Sequence, residues 1–103
     1  MLRGMALTHW GFIYTAAGSV LERTVVDTPV CRSVFIGVDG PADGLAAARR
    51  LVAEGVQLIE LCGGFGPVWA GRIIEAIDGI VPVGVVGYGP EAVDQVHRIF
   101  ADG

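Results

Sequence analysis

The chain contains no lysine. That absence excludes Schiff-base chemistry and a Walker-type phosphate lysine, because both need an ε-amino group. Charge of either sign is scarce: 17% of the residues are charged, against about 25% in a typical domain. The chain is therefore short of the side chains that cover a monomer's surface, and some apolar surface is expected to be buried between subunits, as in a homodimer. Its seven basic residues are scattered from Arg3 to Arg98 and the formal charge is −4, so no basic stripe exists for a phosphate backbone and nucleic acid is not an expected partner. The two cysteines, Cys31 and Cys62, lack C-x-x-C or Cys/His ligand spacing, which points to neither a metal site nor a disulfide framework and favours a reduced, cytoplasmic setting. No apolar run approaches the roughly 20 residues of a membrane helix. Met1–Gly4 lacks the features of a cleaved leader, so neither membrane nor secretion is expected.

What is present fits one domain of 103 residues, long enough to bury roughly 65% of the surface its unfolded form exposes. The domain is expected over 8–103, after a flexible stretch at 1–7. Thr8 to Thr15 is β-branched and aromatic, as in a buried strand, and alternation puts Trp10, Phe12 and Tyr14 on one face. Residues 16–30 are less legible: Ala17-Gly18 reads as a turn, Ser19 to Val26 as a short helix or an extended edge, and Pro29 interrupts either.

From residue 31 the chain repeats, with units at 31–55, 56–79 and 80–103. Each opens on a strand-like run, Ser33–Val38, Val56–Leu61 and Val81–Val86. Each then carries a Gly-Pro step, at Gly40-Pro41, Gly66-Pro67 and Gly89-Pro90, and closes on Glu54-Gly55, Asp78-Gly79 or Asp102-Gly103. Proline suits the first helical position, where its missing N–H has no partner, and glycine suits the left-handed residue past a helix end. Between these marks lie apolar stripes at three-and-four spacing: Leu45, Ala48, Leu51 and Val52; Ile73, Ile74 and Ile77; Val93, Val96, Ile99 and Phe100. Strands alternating with such helices imply an α/β fold with a small four-stranded parallel sheet, in an open flavodoxin-like order or, alternatively, a half-barrel.

In either arrangement the functional edge is where strands end and helices begin. That edge collects Tyr14, Asp39, Cys62 to Gly66, and Gly87 to Gly89. Glu60 and Cys62, two apart on a strand, share a face. A carboxylate in an apolar strand calls for a partner such as Arg32 or Arg72, or for a neutral, proton-handling role. Cys62 precedes a turn whose N–H groups, on Gly63, Gly64 and Phe65, point toward a helix start, an environment that suits thiolates and bound anions. The competing reading is structural throughout: a buried small thiol, an ion pair, and glycines required by a tight turn. Tyr14 and Tyr88 are candidates to hydrogen-bond a ligand, with packing as the competing role. Asp39 reads as a helix cap. Trp10 and Trp69 read as core or interface anchors, and His9 and His97 as non-catalytic. Gly87-Tyr88-Gly89-Pro90-Glu91-Ala92 matches G-x-G-x-x-A, but it lies in the last unit rather than in the first βαβ of a longer sheet, so helix initiation is the simpler reading.

On Phe12-Ile13-Tyr14, Gly37-Val38, Glu54-Gly55-Val56, the octet Glu60-Leu61-Cys62-Gly63-Gly64-Phe65-Gly66-Pro67, and Pro82-Val83-Gly84, the chain resembles a small bacterial family of α/β domains of unknown function. The resemblance covers most of residues 8–90 and implies a fold and a site without an activity. A weaker likeness is to aspartate/glutamate-type racemases, which also set a cysteine after a parallel strand. They use two such thiols, and Cys31 lies at the wrong end of its strand. The leading expectation is a small cofactor-free isomerase or lyase acting on a carbonyl or carboxylate metabolite. Glu60 and Cys62 would be its catalytic groups, and Gly63, Gly64, Phe65, Gly66, Tyr14, Asp39 and Tyr88 its ligand-binding ones, with no metal. The alternative is a non-catalytic small-molecule-binding or assembly protein.

Overall fold

The computed structural model describes residues 6–101. The Asp102-Gly103 ending, and residues 1–5 of the expected flexible stretch, lie outside the described residues. The Gln57 side chain donates to the Ala6 carbonyl at 3.0 Å and accepts from the Thr8 and His9 amides at 2.8 and 3.0 Å.

Five strands and three helices follow: β1 (His9–Thr15), β2 (Arg23–Asp27), β3 (Arg32–Val38), α1 (Gly44–Ala53), β4 (Ile59–Leu61), α2 (Gly66–Ala76), β5 (Val83–Val85) and α3 (Val93–Phe100). The sheet order is β2-β3-β1-β4-β5. β3, β1, β4 and β5 run parallel and β2 is an antiparallel edge strand. The four parallel strands expected from the repeats are present, side by side as β3-β1-β4-β5, and β2 at the edge corrects the four-stranded, all-parallel layer to a mixed five-stranded sheet. The extra strand comes from the least legible segment. Thr28 closes a tight turn into β3, its hydroxyl accepting from the Cys31 amide at 3.0 Å, and the connection from β1 to β3 is made through this hairpin instead of through a helix.

That substitution decides how the layers are arranged. The β3-α1-β4 and β4-α2-β5 crossovers step the same way across the sheet, and with right-handed connections both helices fall on one face. There Ile13, Val34, Ile36, Val38, Ile59 and Leu61 meet Ala47, Ala48 and Leu51 of α1 and Ala70 and Ile73 of α2, all buried. The first two apolar stripes face this core as expected, except that Ile74 is 41% exposed. The third does not: no residue of α3 is buried, so the expectation that Val93, Val96, Ile99 and Phe100 lie on the sheet is corrected. A helix would have covered the other sheet face had one joined β1 to β3, and without it that face is uncovered by α1 or α2. Among the described residues no helix is long and apolar enough to cross a membrane.

The helix punctuation follows the expected physics in part. Pro41 and Pro90 open short 3-10 turns that lead into α1 and α3, and Pro67 stands in the first turn of α2. Gly55 and Gly79 adopt φ of +93° and +62° after α1 and α2, the left-handed geometry that stops a helix without a Cβ penalty.

The edge strand is tied to α1 by charge. Arg23 makes a two-pronged contact with Glu54, Nη1 donating to Oε2 at 2.8 Å, and Arg50, one turn back on α1, adds a third bond at 3.2 Å. The hydrogen bond from Arg23 holds the Glu54 carboxyl below the usual glutamate range, with its charge and Arg50 adding to the effect against the opposing influence of burial. A carboxyl lowered in the folded state stabilises it at pH above the ordinary glutamate value of about 4.3 and loses that contribution as pH falls through the folded value. Denaturant titrations should therefore show stability declining below about pH 4.5. Arg23→Gln should cost about 0.5–1 kcal/mol at neutral pH and flatten that decline. An unchanged acid profile in the variant would contradict the assignment.

Candidate functional site

The site is built where β1 and β4 end side by side. The register pairs Ile13 with Leu61, and the Cys62 amide continues the ladder by donating to the Ile13 carbonyl at 3.1 Å. Cys62 therefore stands beside the last residues of β1. The Thr15 amide donates to Cys62 Sγ at 3.2 Å, and the Thr15 hydroxyl lies 3.5 Å from the same sulfur. Two polar groups of one residue thus fix the thiol's position.

The glycine turn follows directly. The Phe65 amide returns to the Cys62 carbonyl at 3.1 Å, and Gly66 begins α2 at φ +67°, a conformation L side chains rarely adopt. Gly64 is required for a different reason. A Cβ there would come within 2.3 Å of the Thr15 hydroxyl and 3.5 Å of Cys62 Sγ, so only a hydrogen lets the turn approach the pair. No side chain caps the start of α2.

Above this turn is a cavity of about 640 Å³ lined by Thr15, Cys62, Gly63, Gly64, Tyr88, Val96 and Phe100. The volume lies within the range of small-molecule sites, roughly 300–1,000 Å³. No lining residue is charged. The polar groups lie on the strand-end side, and the apolar side chains Val96 and Phe100 come from α3. An adjoining cleft of about 430 Å³ runs between the α2 start and α3, past Gly63, Gly66, Pro67, Gly87, Tyr88 and His97 among others.

Of the residues singled out from the sequence, Cys62, Gly63, Gly64 and Tyr88 come together in the cavity, and Gly66 lines only the adjoining cleft. Phe65 turns its ring into the core at 3% exposure, against Gly44 and Ile73. Tyr14 lies over Gly37 on the sheet face that α1 and α2 leave uncovered. The Asp39 carboxylate accepts from the Gly18 amide at 2.7 Å and makes no cap hydrogen bond to the following turn. Its cap role is therefore corrected to pinning the loop after β1. Glu60 is exposed and lines a separate hollow of about 200 Å³ with Gly84, Val85 and Val86. The ion pairs expected for it are not made: Arg32 bonds Asp27 at 2.9 Å and Arg72 stacks on the Trp69 ring at 4.5 Å.

Sequence reasoning passed over Thr15, Val96 and Phe100 as site residues, and read His97 as non-catalytic. Thr15 could have been found by continuing the β1/β4 register two residues past Ile13 and Leu61. Val96 and Phe100 could not, because their spacing reads as a core stripe and nothing in it foretells a helix standing off the sheet.

At the G-x-G-x-x-A stretch the Glu91 carboxylate lies against Gly89, and Pro90 opens the short 3-10 turn into α3. Among the described residues no three His, Cys, Asp or Glu side chains gather as ion ligands.

No curated protein and no solved structure matches the chain significantly. A family model does, over residues 8–101. With strand ends, glycine turn and α3 all inside that span, the chain belongs to a family of unknown function, DUF6506.

Proposed function

We propose that the rim cavity binds a small carbonyl or carboxylate metabolite with an apolar body. The observation that carries this reading is the placement of Cys62. Its sulfur is positioned by Thr15 on the wall of an uncharged cavity that is polar at the strand ends and apolar along α3. A ligand's carbonyl or carboxylate suits the polar floor, where turn amides are close, and its hydrocarbon suits Val96 and Phe100. The narrower reading, an isomerase or lyase in which Glu60 and Cys62 handle one proton, has less support because the two residues line separate hollows. Two free thiols suit a reducing compartment such as the cytoplasm.

Cys31 offers an internal reference, since it precedes β3 while Cys62 follows β4. A panel of short oxo- and hydroxycarboxylates, with and without branched or aromatic tails, should include members that slow iodoacetamide alkylation of Cys62 by about fivefold or more, leaving Cys31 unaffected. Equal rates at both thiols with every member of the panel would overturn the proposal.

A further inference from the structure

We infer that α3 is a lid: hinged at Gly87-Tyr88-Gly89, it closes over the rim cavity when a ligand's apolar body bridges Val96 and Phe100 to the strand ends. The inference rests on the ligand binding proposed for this cavity and adds to it the part of the fold that moves.

The helix is weakly held. None of its residues is buried, and the last ladder bond before it runs from the Val86 amide to the Leu61 carbonyl at 3.0 Å. Among the described residues Gly87 and Tyr88 enter no backbone hydrogen bond, and the next one, from the Ala92 amide to the Gly89 carbonyl, closes only the short turn that leads into α3. A Cβ on Gly87 would meet nothing within 4 Å. The tether is two glycines and an exposed tyrosine, and no backbone bond joins α3 to another element.

The apolar stripe nevertheless has a direction. Val96 and Phe100 line the rim cavity of about 640 Å³, and Val93, Val96 and His97 line the adjoining cleft of about 430 Å³. The stripe therefore faces the chain's own strand ends across a gap, with Val93 61% and Phe100 67% exposed. At eight residues, α3 is shorter than the roughly 12–15 at which a helix holds in water unaided. Cover from the rim is what would steady it.

A ligand seated at the strand ends reaches Val96 and Phe100 only if its hydrocarbon spans that gap. Such a ligand touches the closed arrangement in more places than the open one, and that difference is what shifts the population. No lining residue is charged, so a second charge on the ligand would find no partner beneath the lid. The lid thus selects single-headed carbonyl or carboxylate compounds with a branched or aromatic tail.

Two measurements test this on the full chain. In the ligand-free protein, α3 amides should exchange hydrogen at least about 100-fold faster than those of α2, and members of the oxo- and hydroxycarboxylate panel that slow Cys62 alkylation should slow α3 exchange by about fivefold or more. The second needs no ligand. In a Cys31→Ser background, diamide should join Cys62 to the new thiol of Phe100→Cys, two thiols giving one disulfide as diamide takes up the two hydrogens. That link should form at least about tenfold faster than with Arg98→Cys, two residues back and on the opposite side of the helix. Ligand-free α3 amides as slow as those of α2, a compound that shields Cys62 and leaves α3 exchange unchanged, or equal cross-linking by the two variants would each overturn the lid. If no compound shields Cys62, the binding reading falls, and the cross-linking comparison alone decides whether α3 seats on the rim.

Discussion

Leu51→Ala should lower unfolding free energy by about 2–5 kcal/mol, and Gly11→Ala, made in the same protein, should partly reverse the loss. Leu51 is fully buried where α1 crosses the middle of the sheet. It reaches so close to β1 that a Cβ on Gly11 would lie 2.6 Å from Leu51 Cδ1 and 3.0 Å from Cδ2. A methyl added at Gly11 alone forces Leu51 against a packed core, at about 1–3 kcal/mol. Leu51→Ala alone leaves a void at that spot. Combined, the new methyl occupies part of the void, so the double variant should be more stable than the sum of the single effects by at least about 1 kcal/mol. Denaturant unfolding of the four proteins measures this, and additivity would mean that α1 and β1 do not approach as described.

Phe65→Ala should be at least as damaging, at about 3–5 kcal/mol. Phe65 sits within the glycine turn, yet its ring is 3% exposed and lies where a Cβ on Gly44 would be 2.6 Å from Cε2 and 3.0 Å from Cζ. The ring therefore anchors the turn to the start of α1 and holds the Cys62–Gly64 segment against β1. Phe65→Leu should retain most of the stability, because volume is the larger part of what is lost. Alkylation of Cys62 in the alanine variant should accelerate together with global opening, as turn and core come apart in one event. A cost below about 1 kcal/mol would show that the turn is held by its backbone alone.

The parallel strands and their helices were legible because each repeat carries its own boundary chemistry. Pro41, Pro67 and Pro90 mark helix starts, Gly55 and Gly79 mark ends, and Leu51 and Ile73 fall on the inward stripe. β2 was not legible. Its Arg23-Thr24-Val25-Val26-Asp27 alternates weakly, and its place is fixed by partners distant in sequence, the Phe35 row and Glu54. Cys62 could be singled out as a candidate, and placed on the cavity wall, because thiol, strand end and glycine turn are contiguous in the chain. Glu60 followed it by alternation, which locates a face and says nothing of the cavity that face opens into. The fate of α3 was hidden for a related reason. An amphipathic pattern records that a stripe needs cover, but not whether its own sheet provides it.

The central position of β1 has a consequence for how the chain comes to be folded. Of the five strands of this sheet, the first to leave the ribosome is the one that both β3 and β4 must flank, with Gly11 opposite both Val34 and Ile59. Until the segment carrying Ile59 emerges, Trp10 and Phe12 belong to a strand with one open side, and nascent chains paused before that point are the ones a holding chaperone should engage.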